Sequence, residues 1–422
     1  MDASLCLRQP VSKTRLPLPI LATETTERSP PNNFRPRFVL MATTLVNNGA
    51  CGDNCPSGRI PSLDGLRGVA ILMVLIGHCS FSFPPLAWGP LRFASNAALG
   101  VNIFFILSGF LIYSLSVREI EKTGAFNWKQ FYMRRILRIF PCFYFYIVVV
   151  LLLMAVGMVA LSWPMIVSAA TFSINYRHVW DHSGGGYDYY VIGHYWTLAL
   201  EEQFYLTWPL LILLRIKGRL LPTLVAIIAL APLIRIACYF FTPGSRDQIG
   251  MMFHTGFDSI AAGVLLGELL RRAPSKRWLE RWSSKRSVVA VALVFLLVLS
   301  PLLTGHFRGA YSITIGKSLE LFALCILITA AVSFPRTLLF RVLNWGPLAY
   351  VGVLSYSLYV WNNLFLLGEK YWFNAFPFNI ACVAGMAVVS HYLVERPFLK
   401  LKDRFHIPAG KRAGPAASAT GG

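Results

Sequence analysis

The chain has 422 residues, 55% hydrophobic and 14% charged, with a mean hydropathy of +0.56. A soluble globular domain carries about 25% charged residues, so this balance excludes one and points to a chain that crosses a bilayer repeatedly. The formal charge of +20 does not signal nucleic-acid binding, because the basic residues gather at the ends of apolar segments, as the positive-inside rule expects.

Residues 1–58 are polar and rich in Pro, Thr and Arg, with apolar runs too short to span. No clear signal-peptide apolar region is read in them, and Glu24 and Glu27 argue against an acid-free transit peptide. A disordered tail is expected, with Met41 as an alternative translation start. Residues 59–398 form the expected membrane domain, and 399–422 a basic, Gly/Ala-rich cytoplasmic tail. Of eight cysteines, Cys79, Cys142, Cys238, Cys325 and Cys382 fall in apolar segments, where a thiol acts as a small hydrophobe. Cys51 and Cys55 lack the further ligands that a zinc site needs, and no metal site is expected.

Windows of roughly 20 apolar residues predict an all-α membrane protein with ten spans. They lie near 63–84, 96–117, 134–160, 194–214, 219–241, 251–270, 287–304, 313–333, 346–367 and 376–395. An eleventh patch, 163–176, is short and ends in polar groups. If it does not cross, the basic run 271–286 and the other Lys/Arg clusters fall in alternate connections on one side. That asymmetry predicts both termini in the cytoplasm and 163–176 as a re-entrant or interfacial piece.

The first span holds Arg67 and His78. Eleven helical steps of about 100° bring them to one face, roughly 16 Å apart along the axis. An ionisable group at bilayer depth costs on the order of 2.5–3.5 kcal/mol, so such a pair marks chemistry, transport or a buried ion pair. A neutral imidazole is the usual general base, although a core histidine satisfied by a carbonyl reads the same way. In the second span, Ser108 and Gly109 place a small, hydrogen-bonding surface in mid-membrane, for which helix packing is the default role. The third opens with Arg134, Arg135 and Arg138, of which 134 and 138 share a face. These are either headgroup anchors or planar forks suited to a phosphate-bearing ligand.

The fourth span carries His194, Glu201 and Tyr205 at i, i+7 and i+11, with Glu202 and Gln203 beside them. Glu201 lies at a depth compatible with meeting His78. It either pairs with a buried arginine or positions and charges the histidine. Two further polar pairs, His254/Asp258 and Lys317/Glu320, look structural.

Six runs resemble the membrane acyltransferase-3 family of bacteria, in order over about residues 60–400. They are Arg67-x10-His78, Phe-Phe-x-x-Ser-Gly-Phe-Leu at 104–111 and Tyr-x-Arg-Arg-x-x-Arg-Ile-x-Pro at 132–141. The others are Trp-Thr-Leu-Ala-Leu-Glu-Glu-Gln-Phe-Tyr-Leu at 196–206, Ser-Tyr-Ser-Leu-Tyr at 355–359 and Glu-Arg-Pro-Phe at 395–398. The resemblance implies a multi-pass plasma-membrane enzyme that moves an acyl group, often acetyl from acetyl-CoA, to a hydroxyl of a carbohydrate or another envelope or secondary-metabolite acceptor. By position, His78 matches the family's essential histidine, Arg67 its paired arginine, Arg134, Arg135 and Arg138 its basic motif, and Glu201 its fourth-span acid.

The expected machinery is therefore His78, Arg67 and Glu201 at the reacting centre, with Glu201 orienting His78. Arg134, Arg135, Arg138, Ser108 and Gly109 are expected at the acyl-CoA, and Tyr205 and His194 on the acceptor side, with no bound cofactor. Family members often carry a histidine shortly after the Ser-Tyr-Ser-x-Tyr run; here Asn362 and Asn363 stand there, which removes an acid–base role from that position. The rival reading is a carrier or flippase for a sugar or lipid-linked glycan. Such folds tend to show internal repeats, and none is evident between 60–220 and 230–400.

Overall fold

The computed structural model describes residues 61–87, 94–179, 188–367 and 371–403. The tail 1–58, with Met41, and residues 404–422 of the basic tail lie outside the described residues. The described residues form helices and the connections between them, with no strand among them. The helices are α1 (Pro61–Cys79), α2 (Ala97–Thr123), α3 (Trp128–Ala155), α4 (Trp163–Ala170), α5 (Tyr189–Gly193), α6 (Trp196–Ile216) and α7 (Leu220–Phe241). They continue as α8 (Phe253–Arg271), α9 (Ala273–Ser283), α10 (Arg286–Phe307), α11 (Gly309–Ser333), α12 (Leu338–Leu343), α13 (Gly346–Leu366) and α14 (Phe378–Lys402).

Their ends follow ordinary capping chemistry. Asn96 accepts from the Leu99 N–H at 3.0 Å, and Asn127 from the Gln130 N–H at 3.0 Å, so each asparagine satisfies a first-turn donor. Gly124 closes α2 at φ 79°, its N–H donating to the Ile120 carbonyl, the left-handed stop that glycine adopts without strain.

Eight of the described helices are long and apolar enough to cross a membrane: α1, α2, α3, α7, α8, α10, α11 and α14. The other two expected spans correspond to α6 and α13. Each has 21 residues, ample for a bilayer, but Glu201–Gln203 and Asn362–Asn363 dilute their apolar character. The short patch becomes α4, eight residues long, then a turn at Phe172 (φ 55°) and a 3₁₀ segment, Ile174–Val179. About 12 Å of helix cannot cross a hydrocarbon core of about 30 Å. The fourth span also differs from its expected form. His194 precedes α6, in the short link after α5, so Glu201 and Tyr205 share a helix face without it.

Between helices in lipid there is little hydrophobic driving force, and close backbone approach replaces it. Gly109 of α2 lies against the Ile260 carbonyl of α8, and Gly263 of α8 lies against the Ile106 carbonyl of α2. A Cβ at either would collide with backbone. The same crossing buries the Ser259 hydroxyl, which donates to Asn102 Oδ1 at 3.1 Å. α13 runs along α1, and α1 along α2, so α13, α1, α2 and α8 form a continuous row. Lipid-facing side chains such as Leu206, Leu210, Leu233 and Phe241 are exposed.

The expected structural pairs are re-sorted. Asp258 holds Arg235 Nη1 at 2.7 Å and Lys317 Nζ at 3.1 Å, while His254 meets the Tyr176 hydroxyl and Cys238. Glu320 accepts from Ser300 at 2.6 Å. Arg235 Nε donates to the Ile313 carbonyl at 2.9 Å, inside a π-helical turn, Ser312–Gly316. Spacing along one helix suggested i, i+4 and i, i+3 partners; burial instead favours partners on neighbouring helices that neutralise the carboxylate.

Candidate active site

A cavity of about 350 Å³ opens among α1, α2, α3, α6 and α13. Each helix contributes a polar group to an otherwise apolar wall: Arg67 from α1, Ser108 from α2, Arg135 and Arg138 from α3, Glu201 and Tyr205 from α6, Ser355 and Tyr359 from α13. Arg118 and Lys402 stand at the same cavity, so five cations face two carboxylates, Asp64 and Glu201. Such a surplus in a low-dielectric pocket favours a polyanionic ligand, and the planar guanidinium forks suit phosphate.

The pocket is internally braced. Tyr205 and Ser108 share a hydroxyl hydrogen bond of 2.8 Å, and the Tyr205 hydroxyl also donates to Glu201 at 3.4 Å. The Arg135 guanidinium sits 4.9 Å from the Tyr205 ring centroid, a cation–π contact. Arg67 lies 3.5 Å from Asp64. At its deep end, Thr197 and Tyr359 share a hydroxyl hydrogen bond of 2.6 Å. The Tyr359 ring meets Phe104 edge-on, with centroids 6.4 Å apart.

His78 stands beyond this floor. Its Nδ1 is bonded to Oδ1 of Asn362, one turn past Tyr359 on α13, and Asn362 Nδ2 donates to the Tyr359 carbonyl. The carbonyl can only accept, so it fixes the amide and turns Oδ1 towards the ring. Oδ1 can only accept as well, so Nδ1 carries the proton and Nε2 keeps its lone pair. Asn363 donates to the Tyr190 carbonyl at 2.6 Å, tying the same turn of α13 to α5.

Four expected placements change. The hydrogen-bond partner of His78 is Asn362; Glu201 instead faces Tyr205 and the cavity arginines, because its turn of α6 lies at the level of Ser108. Arg134 leaves the basic cluster and pairs with buried Glu119 at 2.7 Å; side chains at i and i+3, Arg135 and Arg138, face the cavity instead. Gly109 lies in the α2–α8 contact rather than at the cavity, the packing role that was its default. Tyr205 and His194 do not meet. Tyr205 sits among the arginines. His194 Nε2 donates to the Val360 carbonyl at 3.0 Å within a cage of Tyr146, Tyr195 and Tyr359, as a core histidine does.

Arg118, Thr197 and Tyr359 were not singled out by sequence reasoning. Arg118 is one of the basic residues that end apolar segments, and Thr197 and Tyr359 fall in the 196–206 and 355–359 runs without a spacing that marks either one. Asn362 was visible as a departure from the family pattern, but its bond to a residue 284 positions away was not.

The fold and site define a polytopic α-helical membrane protein with a basic cavity below a fixed histidine. Residues 60–395 match the acyltransferase-3 family model, described as an acyltransferase domain, and the chain belongs to that family. It is 29% identical over 361 residues to O-acetyltransferase OatA of Staphylococcus aureus (strain NCTC 8325 / PS 47), covering 81% of this chain and 57% of that protein. It is 28% identical over 320 residues to peptidoglycan O-acetyltransferase OatA of Listeria monocytogenes serovar 1/2a, covering 72% of this chain and 49% of that protein. The chain thus spans about half the length of these curated relatives. No solved structure matches it.

Proposed function

We propose that this chain is a membrane O-acetyltransferase that takes acetyl-CoA at its basic cavity and acylates a carbohydrate hydroxyl of the cell envelope at His78. The observation that carries the reading is the row formed by Arg67, the Tyr359 floor and His78, which connects a polyanion pocket to a positioned base within one helix length. Membership of an acyltransferase family supports the reaction class. The names of both relatives support acetyl as the group, and the Listeria protein's name, peptidoglycan O-acetyltransferase, supports an envelope carbohydrate as the acceptor. In this reading the arginine end faces the cytoplasm and its acyl-CoA, both termini are cytoplasmic, and the membrane is the plasma membrane.

Arg67, Arg135 and Arg138 hold the donor's phosphates, and the pantetheine arm carries the thioester past Ser108 towards Tyr359. At His78, Nε2 takes the proton of the acceptor hydroxyl as its oxygen bonds to the thioester carbonyl carbon. Collapse of the tetrahedral adduct breaks the C–S bond, and the CoA thiolate leaves and regains a proton. A positioned base supplies about 10²–10⁴ in rate; alignment of the two substrates supplies much of the rest.

The test is acetyl transfer from labelled acetyl-CoA to soluble glycan fragments by the purified full chain in proteoliposomes. Label in the glycan, lost in His78→Ala, is the expected result. Movement of unmodified glycan across the bilayer without acetyl-CoA would replace this reading with that of a carrier.

A further inference from the structure

A second cavity, of about 380 Å³, lies at the arginine end but on a different part of the molecule, between α9, α10 and α11. Its wall is mainly apolar, built from Trp278, Trp282, Val291, Phe322 and Ile326, with two serines, Ser283 and Ser287. Ser283 is 3% exposed, and its hydroxyl has no hydrogen-bond partner in the protein. Val291 and Phe322 are well exposed despite their size.

The cavity is graded along the helix axes. At its rim, α9 presents Trp278, Arg281 and Trp282 on one face, spaced i, i+3, i+4, and the Lys285 ammonium lies 4.3 Å from the Trp282 ring centroid. Arg281, Lys285 and Arg286 are exposed there. Below the rim, Val291 is five residues into α10, about 8 Å. On the facing α11, Ile326 and Phe322 stand seven and eleven residues from the end at Ser333, about 10 and 16 Å deep. Cations and indole rings at the rim, an unpartnered hydroxyl in the wall and an apolar slot beside the helices match the parts of a glycerophospholipid: phosphate, interface, ester, chain.

We propose that this groove is a binding site for an anionic glycerophospholipid of the leaflet at the arginine end. The phosphate lies against Arg281, Lys285 and Arg286, an ester carbonyl accepts from Ser283, and one acyl chain fills the slot between Trp282, Val291 and Phe322. Charge complementarity selects an acidic headgroup, since basic residues beside a membrane surface attract anionic lipids. The apolar slot separates such a lipid from free phosphate, which has nothing to place there. None of these residues touches the cavity around Arg67, so the inference is independent of the proposed reaction.

Native mass spectrometry of the full-length chain in detergent, titrated with phosphatidylglycerol or phosphatidylcholine, tests it. Phosphatidylglycerol is expected to be retained in preference to phosphatidylcholine. The Arg281→Ala/Lys285→Ala variant should lose that preference, weakening phosphatidylglycerol binding about tenfold or more. Val291→Trp, which keeps every cation and fills the slot at an exposed position, should reduce retention as well. Equal retention of the two lipids by the wild type, retention unchanged in both variants, or a dimer mass that disappears with Val291→Trp would overturn the proposal.

Discussion

The imidazole of His78 donates from Nδ1 to Asn362, and the Tyr359 carbonyl holds that asparagine in the accepting orientation. The ring is thereby fixed in rotation and tautomer by the helix that also lends Ser355 and Tyr359 to the cavity wall. Asn362→Leu removes the acceptor at similar volume. It should lower kcat by about 10²-fold or more while leaving the KM for acetyl-CoA within a few-fold. Asn362→Asp, which keeps an accepting oxygen, should recover part of the rate. Steady-state kinetics of the two variants checks this, and equal loss in both would separate Asn362 from the tautomer.

Arginines 134 and 138 lie one turn apart but face different partners. Arg138→Ala should raise the KM for acetyl-CoA about tenfold with a smaller change in kcat. Arg134→Ala should leave that KM nearly unchanged and destabilise the fold by about 1–3 kcal/mol, because Glu119 loses its charged partner in a buried position. Adding Glu119→Gln should restore part of that loss. Donor saturation curves and thermal unfolding in detergent distinguish the two effects.

The α2–α8 crossing makes a prediction about stability alone. Gly109→Ala and Gly263→Ala each place a methyl against a backbone carbonyl that cannot rotate away, and overpacking of this kind costs about 1–3 kcal/mol. Both should lower the unfolding temperature. A Gly109→Ala protein with wild-type melting but altered donor KM would return this glycine to the acyl-CoA site.

Asp258 neutralises two cations, Arg235 and Lys317, from neighbouring helices. Asp258→Asn leaves both uncompensated in a buried setting, where breaking such a pair costs about 3–5 kcal/mol. A sharp fall in folded yield is expected. The double change Asp258→Asn/Lys317→Met, which removes one of the stranded charges, should regain part of it. Size-exclusion profiles and melting in the same detergent measure both.

Much of the helical layout was legible because hydropathy is a local signal: a run such as 96–117 reads as a span in any context. The limits of that signal appear at α6 and α13. There the polar residues that make the helices interesting also dilute the apolar run that marks a span. The site was legible where one helix carries it, as with Arg67 and His78, whose common face follows from the helical repeat. It was not legible where partners come from different helices. Glu119 claimed Arg134, Asn362 took the place beside His78 given to Glu201, and the Val360 carbonyl held His194, and each depends on helix crossings that no spacing encodes.

Thr197, Phe104 and Tyr359 belong to the lining of the basic cavity, and His78 does not. A bilayer that stores energy as ion gradients tolerates a catalyst spanning it only while the catalyst insulates. With aromatic rings and a hydroxyl pair across the floor, five cations can gather on one side without offering ions a wire to the other. In the proposed reaction the acyl arm passes those rings and fills the gap it opens, so group transfer and insulation fall to the same few side chains.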